Sequence, residues 1–226
     1  MSYTLYKETA PYEKGLFPVG DGHELYYERF GNKNGIPIIY LHGGPGAGCS
    51  FSEYCLFNLD YCNVLLFDQR GAGKSVPYAE TKNNSIDKLV EDIETFLQHI
   101  GVDQWTICGG SWGSALGMFY ATKYPQYVEQ MLLNGIFFAD QTGAQHIIEE
   151  NGSAKENLNK YFEAYRDYIP KTERKDGLML PYYKRLMSPD IDQSVEAARL
   201  FDMWDTSIIS YSVSYTHLTL PTICSV

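Results

Sequence analysis

A serine set between glycines is the first residue pattern in this chain that carries chemistry. Gly109-Gly110-Ser111-Trp112-Gly113 comes directly after the apolar run Trp105-Thr106-Ile107-Cys108 and directly before a helix-like segment, Ala115 to Tyr124. In a strand–turn–helix setting, G-x-S-x-G builds a nucleophile elbow, a strained turn that holds the serine hydroxyl outward. Glycine is needed at both flanks because a side chain there would strike neighbouring backbone. The chemistry is attack on a carbonyl carbon, with a general base taking the hydroxyl proton and an acyl-enzyme as intermediate. Attack places negative charge on the carbonyl oxygen, so fixed donors must face it. His42-Gly43-Gly44-Pro45-Gly46 follows the run Pro37 to Leu41, where glycine lets backbone come within hydrogen-bonding reach of such an oxyanion. The Gly44 and Trp112 N–H groups are the expected donors. His42 precedes the serine and is expected to organise this loop rather than act as the base.

Two rival readings of the glycine-rich loops fail on spacing. A dinucleotide loop needs G-x-G-x-x-G, but its last position is Cys49 counted from Gly44 and Phe51 counted from Gly46. Asp68-Gln69-Arg70-Gly71-Ala72-Gly73-Lys74-Ser75 ends like a phosphate loop, yet Asp68 stands where the required first glycine would be. Its charges and glycine turn are expected to brace the loop beside the serine.

The elements that must position these residues follow from periodicity. Glu24 to Phe30 alternates polar and aromatic residues like a half-buried strand, and the Gly31 to Gly35 turn cluster suggests a hairpin or meander edge there. Pro37 to Leu41, Asn63 to Phe67, Trp105 to Cys108 and Met131 to Phe138 are short apolar runs of the kind found in strands buried on both faces. Ile86, Leu89, Val90, Ile93, Phe96 and Leu97 share one helical face, with Asn84 or Ser85 as cap and Gly101 as stop. Strands alternating with helices predict a mostly parallel, doubly wound α/β sheet. After Asp140 no strand pattern recurs, and Asn157 to Tyr168 and Ser194 to Trp204 predict amphipathic helices of a lid.

Composition narrows the partners. The chain has 226 residues, 44% of them hydrophobic, and a formal charge of −10. Phosphate contacts need a basic surface, so nucleic acid is not expected as a partner. No apolar run reaches the ~18 residues of a membrane span, and Met1 to Glu8 lacks the apolar core of a signal peptide. The expected location is the cytoplasm. Five cysteines without a C-x-x-C pair suit reduced thiols and no metal site.

Taken together, H-G-G-P-G at 42–46, D-Q-R-G-x-G-x-S at 68–75 and G-G-S-W-G-S at 109–114 resemble the proline iminopeptidase family of α/β-hydrolases, serine exopeptidases that release an N-terminal proline. The resemblance runs over most of residues 11–212 and includes Asn134-Gly135-Ile136-Phe137 and Pro181 to Asp190. It implies an α/β-hydrolase core over 1–138, a helical cap over 139–212, a peptide substrate with a free N-terminal proline and no cofactor. Ser111 is then the nucleophile, and Phe137 a wall for the proline ring. Where the family carries Trp-Glu-Gly, whose glutamate binds the substrate amine, this chain has Trp204-Asp205-Thr206, which makes Asp205 the expected amine-binding acid. His146 to Glu150 replaces an aromatic stretch of the first cap helix. A carboxylesterase or another aminopeptidase fits the same core, as does a binding protein with a vestigial serine; the serine itself disfavours epoxide and haloalkane chemistry, which uses an aspartate. In this fold the acid and the histidine of the triad come after the serine. The histidines after Ser111 are His146 and His217. Val213 to Thr222 resembles a reading frame of a sequencing-library adaptor, so residues 213–226 are expected to be a read-through tail and the last core strands to be missing.

Overall fold

The computed structural model describes residues 5–50, 52–152 and 154–223, the stretch from 211 onward as helical backbone alone. The chain divides into two units, 1–139 and 140–226.

The first unit is built on a six-stranded sheet of order β1-β2-β4-β3-β5-β6. Its strands are β1 (Glu13–Gly20), β2 (His23–Gly31), β3 (Ile36–Leu41), β4 (Cys62–Phe67), β5 (Trp105–Gly110) and β6 (Val128–Asn134). β4, β3, β5 and β6 are parallel, as their continuous apolar runs predict, while β1 and β2 join antiparallel at one side. The expected hairpin after β2 is not there, because β4 lies between β2 and β3. The hairpin is formed instead with the preceding strand, through a turn in which Asp21 and Gly22 both take positive φ.

Helix α1 (Ile86–Ile100) starts and stops where the sequence indicates. The Ser85 hydroxyl accepts from the Lys88 N–H, and Gly101 closes the helix in the left-handed conformation. Its buried face, Leu89, Ile93, Phe96 and Leu97, packs with Leu25, Ile39, Leu65 and Phe67 of the sheet. α2 (Trp112–Lys123) begins three residues earlier than expected, and Leu116 and Tyr120 join the same core. β6 is shorter than the run Met131 to Phe138. Gly135 turns the chain at φ 52, so Ile136 to Phe138 lie beyond the strand.

The second unit is helical: α3 (Gln141–Ile148), α4 (Asn159–Asp167), α5 (Met179–Leu186) and α6 (Ile191–Ile223), with short 3-10 turns between them. It has its own aromatic core. Tyr165 stacks on Tyr182 at 4.3 Å, and Phe162 meets Trp204 edge-on at 5.1 Å. Ala197, Leu200, Phe201 and Trp204 form the inward stripe of α6, and the Trp204 indole N–H donates to the Ile147 carbonyl at 3.0 Å. The tail expected from residue 213 lies where no side chain is described. No helix among the described residues is long and apolar enough to cross a membrane.

Candidate active site

Ser111 stands at the junction of β5 and α2 with φ 52 and ψ −122, a conformation that costs a non-glycine residue ~1–3 kcal/mol. Packing holds it there. A Cβ on Gly109 would run into the Gly113 carbonyl, and one on Gly113 into the Leu41 carbonyl. The turn therefore closes only with glycine at both flanks, and α2 seats its first turn directly on the end of β3. Ser111 N–H donates to Asn134 O at 3.1 Å, and the Ser114 hydroxyl donates to Ser111 O at 2.6 Å. The Ser111 side chain is exposed and makes no capping bond to its own helix. Its hydroxyl thus faces outward while its backbone is fixed from both sides.

Trp112 is the first residue of α2, so its N–H is among the first-turn donors that have no acceptor within the helix. The ring is buried, and its indole N–H donates to Gln69 Oε1 at 3.0 Å. Gln69 also donates through Nε2 to the His42 carbonyl at 3.0 Å and through its backbone N–H to His42 Nε2 at 3.0 Å. One buried glutamine thereby ties the loop after β3 to the helix that carries Trp112. Because His42 Nε2 accepts, Nδ1 bears the proton and donates to the Gly43 carbonyl at 2.8 Å. Burial lowers the His42 pKa and so favours the neutral ring. Both ring nitrogens are occupied, so His42 organises the loop. Gly43 sits against the elbow, close enough that a Cβ on it would lie 3.6 Å from the Ser111 Cβ. Gly44 follows with φ 118 at the mouth of the loop.

The Asp68 to Ser75 segment braces this arrangement. Asp68 Oδ1 accepts from Cys49 N–H and Oδ2 from Lys74 N–H, both at 2.7 Å, which pins the far end of the glycine loop. Arg70 makes a two-point pair with Asp92 of α1, Nε to Oδ2 at 2.7 Å and Nη2 to Oδ1 at 2.8 Å, and donates to Asn83 O at 2.8 Å. Burial pushes the Asp92 carboxyl up, and the Arg70 charge opposes that shift. In sequence the bracing falls to the charges and glycine turn of 68–75, with no role for the Gln69 side chain, and Asp92 lies outside the motifs. Asp92 did leave a trace, being an acid on the apolar face of α1 between Leu89 and Ile93.

Phe137 is half-buried against the core of the first unit, and its N–H donates to the Ser114 hydroxyl at 3.0 Å. Asp205 lies in the second unit on the exposed side of α6, where partial desolvation, followed by the charge of Asp202 one turn earlier, pushes its carboxyl above the usual range. No cluster of three or more metal-ligating side chains occurs among the described residues.

The sheet, the elbow and the loop after β3 define a class. A model of the alpha/beta hydrolase fold matches residues 36–182, and the chain belongs to that family. Within it, the chain is 39% identical to a proline iminopeptidase of Arabidopsis thaliana over 89% of its length and 53% of that protein's. It is 38% identical to a proline iminopeptidase of Xylella fastidiosa strain 9a5c, covering 89% and 64%, and 34% identical to one of Neisseria gonorrhoeae, covering 92% and 66%. The chain thus spans from about half to just under two thirds of these relatives. Solved structures similar to it include a proline iminopeptidase-related protein of Thermus thermophilus, 23% identical with a TM-score of 0.54 over 89% of this chain and 72% of that one. Epoxide hydrolases from hot-environment metagenomes are 20% identical with a TM-score of 0.55 over 89% and 68%. Both establish the fold alone.

Proposed function

We propose that this chain carries the nucleophile and oxyanion donors of a serine exopeptidase that releases N-terminal proline from peptides through an acyl-enzyme. The observation that carries this reading is Ser111, held at φ 52 with its hydroxyl outward beside a tethered glycine loop. In the proposed reaction the Ser111 oxygen attacks the carbonyl carbon of the N-terminal proline. The Gly44 and Trp112 N–H groups receive the oxyanion, the peptide amine leaves with a proton from the general base, and water then cleaves the ester. Gln69 ties the loop after β3, which leads to Gly44, to the helix that begins at Trp112, and this supports a preorganised pair of donors, the kind of arrangement that lowers the barrier. No metal or organic cofactor is needed. The proline specificity is supported by the relatives named above.

Asp205 is proposed to meet the secondary ammonium of the substrate, and Phe137 to wall its ring. The test is Asp205→Asn in residues 1–212 completed with the C-terminal remainder of the Xylella fastidiosa relative. A charge-assisted contact is worth ~1.5–3 kcal/mol, so kcat/KM for proline 4-nitroanilide should fall roughly ten- to a hundred-fold. Turnover of a neutral nitrophenyl ester should be unchanged. Equal losses on both substrates, or none on either, would remove Asp205 from the amine site.

A further inference from the structure

Ser114 belongs to the G-G-S-W-G-S run yet has no part in the reaction proposed above. It is fully buried in the first turn of α2, and its hydroxyl is used twice. The hydroxyl donates to the Ser111 carbonyl at 2.6 Å and accepts from the Phe137 N–H at 3.0 Å. A serine hydroxyl has one proton, so accepting from Phe137 leaves that proton directed at Ser111 O. Two backbone donors reach the same carbonyl: the Ser114 N–H at 2.9 Å and the Ala115 N–H, its regular α-helical partner, at 3.4 Å. The hydroxyl makes the shortest of the three contacts.

The direction of that carbonyl sets the direction of another group. Ser111 O and the Trp112 N–H belong to one trans peptide unit, in which C=O and N–H lie in one plane and point opposite ways. Whatever holds Ser111 O therefore aims the Trp112 N–H. From this geometry we infer that Ser114 is a positioning residue for the reaction: through the Ser111 carbonyl its hydroxyl aims and polarises the Trp112 N–H toward the oxyanion. The bonds run head to tail, from Phe137 N–H to Ser114 Oγ, from the Ser114 O–H to Ser111 O, and across the peptide unit to the Trp112 N–H. Each bond in such a chain strengthens the next by ~10–30%. The helix dipole acts on all the first-turn N–H groups alike, whereas this hydroxyl acts on the one carbonyl that shares its peptide unit with the expected oxyanion donor. The inference rests on the reading of Ser111 as nucleophile and the Trp112 N–H as donor. It does not depend on proline specificity.

The test is made in the chimera of residues 1–212 with the C-terminal remainder of the Xylella fastidiosa relative, assayed on proline 4-nitroanilide and on a nitrophenyl ester. Acylation and deacylation both pass through an oxyanion, whichever substrate is cleaved. Ser114→Ala should therefore lower kcat and kcat/KM by the same factor on every substrate that the chimera turns over, with KM unchanged, the pattern of an interaction made only in the transition state. The expected loss is roughly ten-fold, short of the ~10²–10³ that follows removal of a whole oxyanion donor. Ser114→Cys fills the site with a weak donor and should show the same pattern, which carries the test if the alanine variant does not fold. A merely structural role would lower the urea midpoint and leave kcat per folded molecule unchanged. Folded variants with wild-type kcat, or with a raised KM at wild-type kcat, would overturn the inference. Ser111→Ala in the same chimera separates it from the wider reading. Turnover that survives Ser111→Ala would overturn the reading of the site and the inference with it, whereas turnover abolished by Ser111→Ala and untouched by Ser114→Ala would overturn the inference alone.

Discussion

Purified as the 226-residue chain, the protein is expected to leave proline 4-nitroanilide essentially unhydrolysed, and Ser111→Ala is expected to change nothing further. A serine hydroxyl needs a base, and the histidines of the first unit are committed elsewhere. His42 has both ring nitrogens hydrogen-bonded within the loop. His23 is buried and donates to the Lys82 carbonyl at 2.9 Å, and His99 lies against the Phe17 ring at 4.3 Å. After Ser111 the sequence offers His146 on α3 and His217 in the stretch expected to be read-through, and among the described residues no strand follows β6 to carry an acid and a histidine to the elbow. Oxyanion donors and binding without a base leave a residual ~10³–10⁴-fold over water. The check is initial-rate measurement on wild type and Ser111→Ala in parallel. Ordinary enzymatic turnover abolished by Ser111→Ala would show that a base is present and that one of these histidines serves Ser111.

Asp92→Ala should be the costliest of the simple truncations around the site. It would leave the buried Arg70 guanidinium without its two-point partner and with the more exposed Asp21 carboxylate at 3.3 Å as its remaining counter-charge, and breaking a buried pair from one side costs up to ~3–5 kcal/mol. Urea unfolding followed by tryptophan fluorescence should show the midpoint falling with little change in slope. The double variant Arg70→Met with Asp92→Leu should recover part of the loss, because no charge is then stranded. A loss below ~1 kcal/mol for Asp92→Ala would mean that water reaches Arg70 and that the brace is weaker than its geometry indicates. The consequence reaches the site through sequence adjacency. Arg70 follows Gln69, whose amide joins the His42 carbonyl to the Trp112 indole.

The elbow was legible because its constraint is local: each glycine is dictated by a neighbour one strand or one turn away. The bounds of α1 were legible for the same reason, through Ser85 and Gly101. β1 escaped notice because Gly15 and Pro18 depress strand propensity, and only its place at the side of the sheet tolerates them. β6 looked longer than it is because Ile136, Phe137 and Phe138 continue the apolar run past a turn that one glycine makes. The early start of α2 was hidden by Gly113, a poor helix former retained where the first turn packs tightly on the end of β3. Gln69 lies in the 68–75 motif, but its own role was not legible there, since nothing about a glutamine announces two buried partners that lie 27 and 43 residues away.

The most direct measurement is the substrate preference of residues 1–212 completed with the C-terminal part of the Xylella fastidiosa relative, assayed with and without Ser111→Ala. A folded chimera should cleave proline 4-nitroanilide with a kcat/KM above that for short-chain nitrophenyl esters, and Ser111→Ala should abolish both activities. A folded chimera that prefers the esters, or one whose peptide cleavage survives Ser111→Ala, would contradict the account.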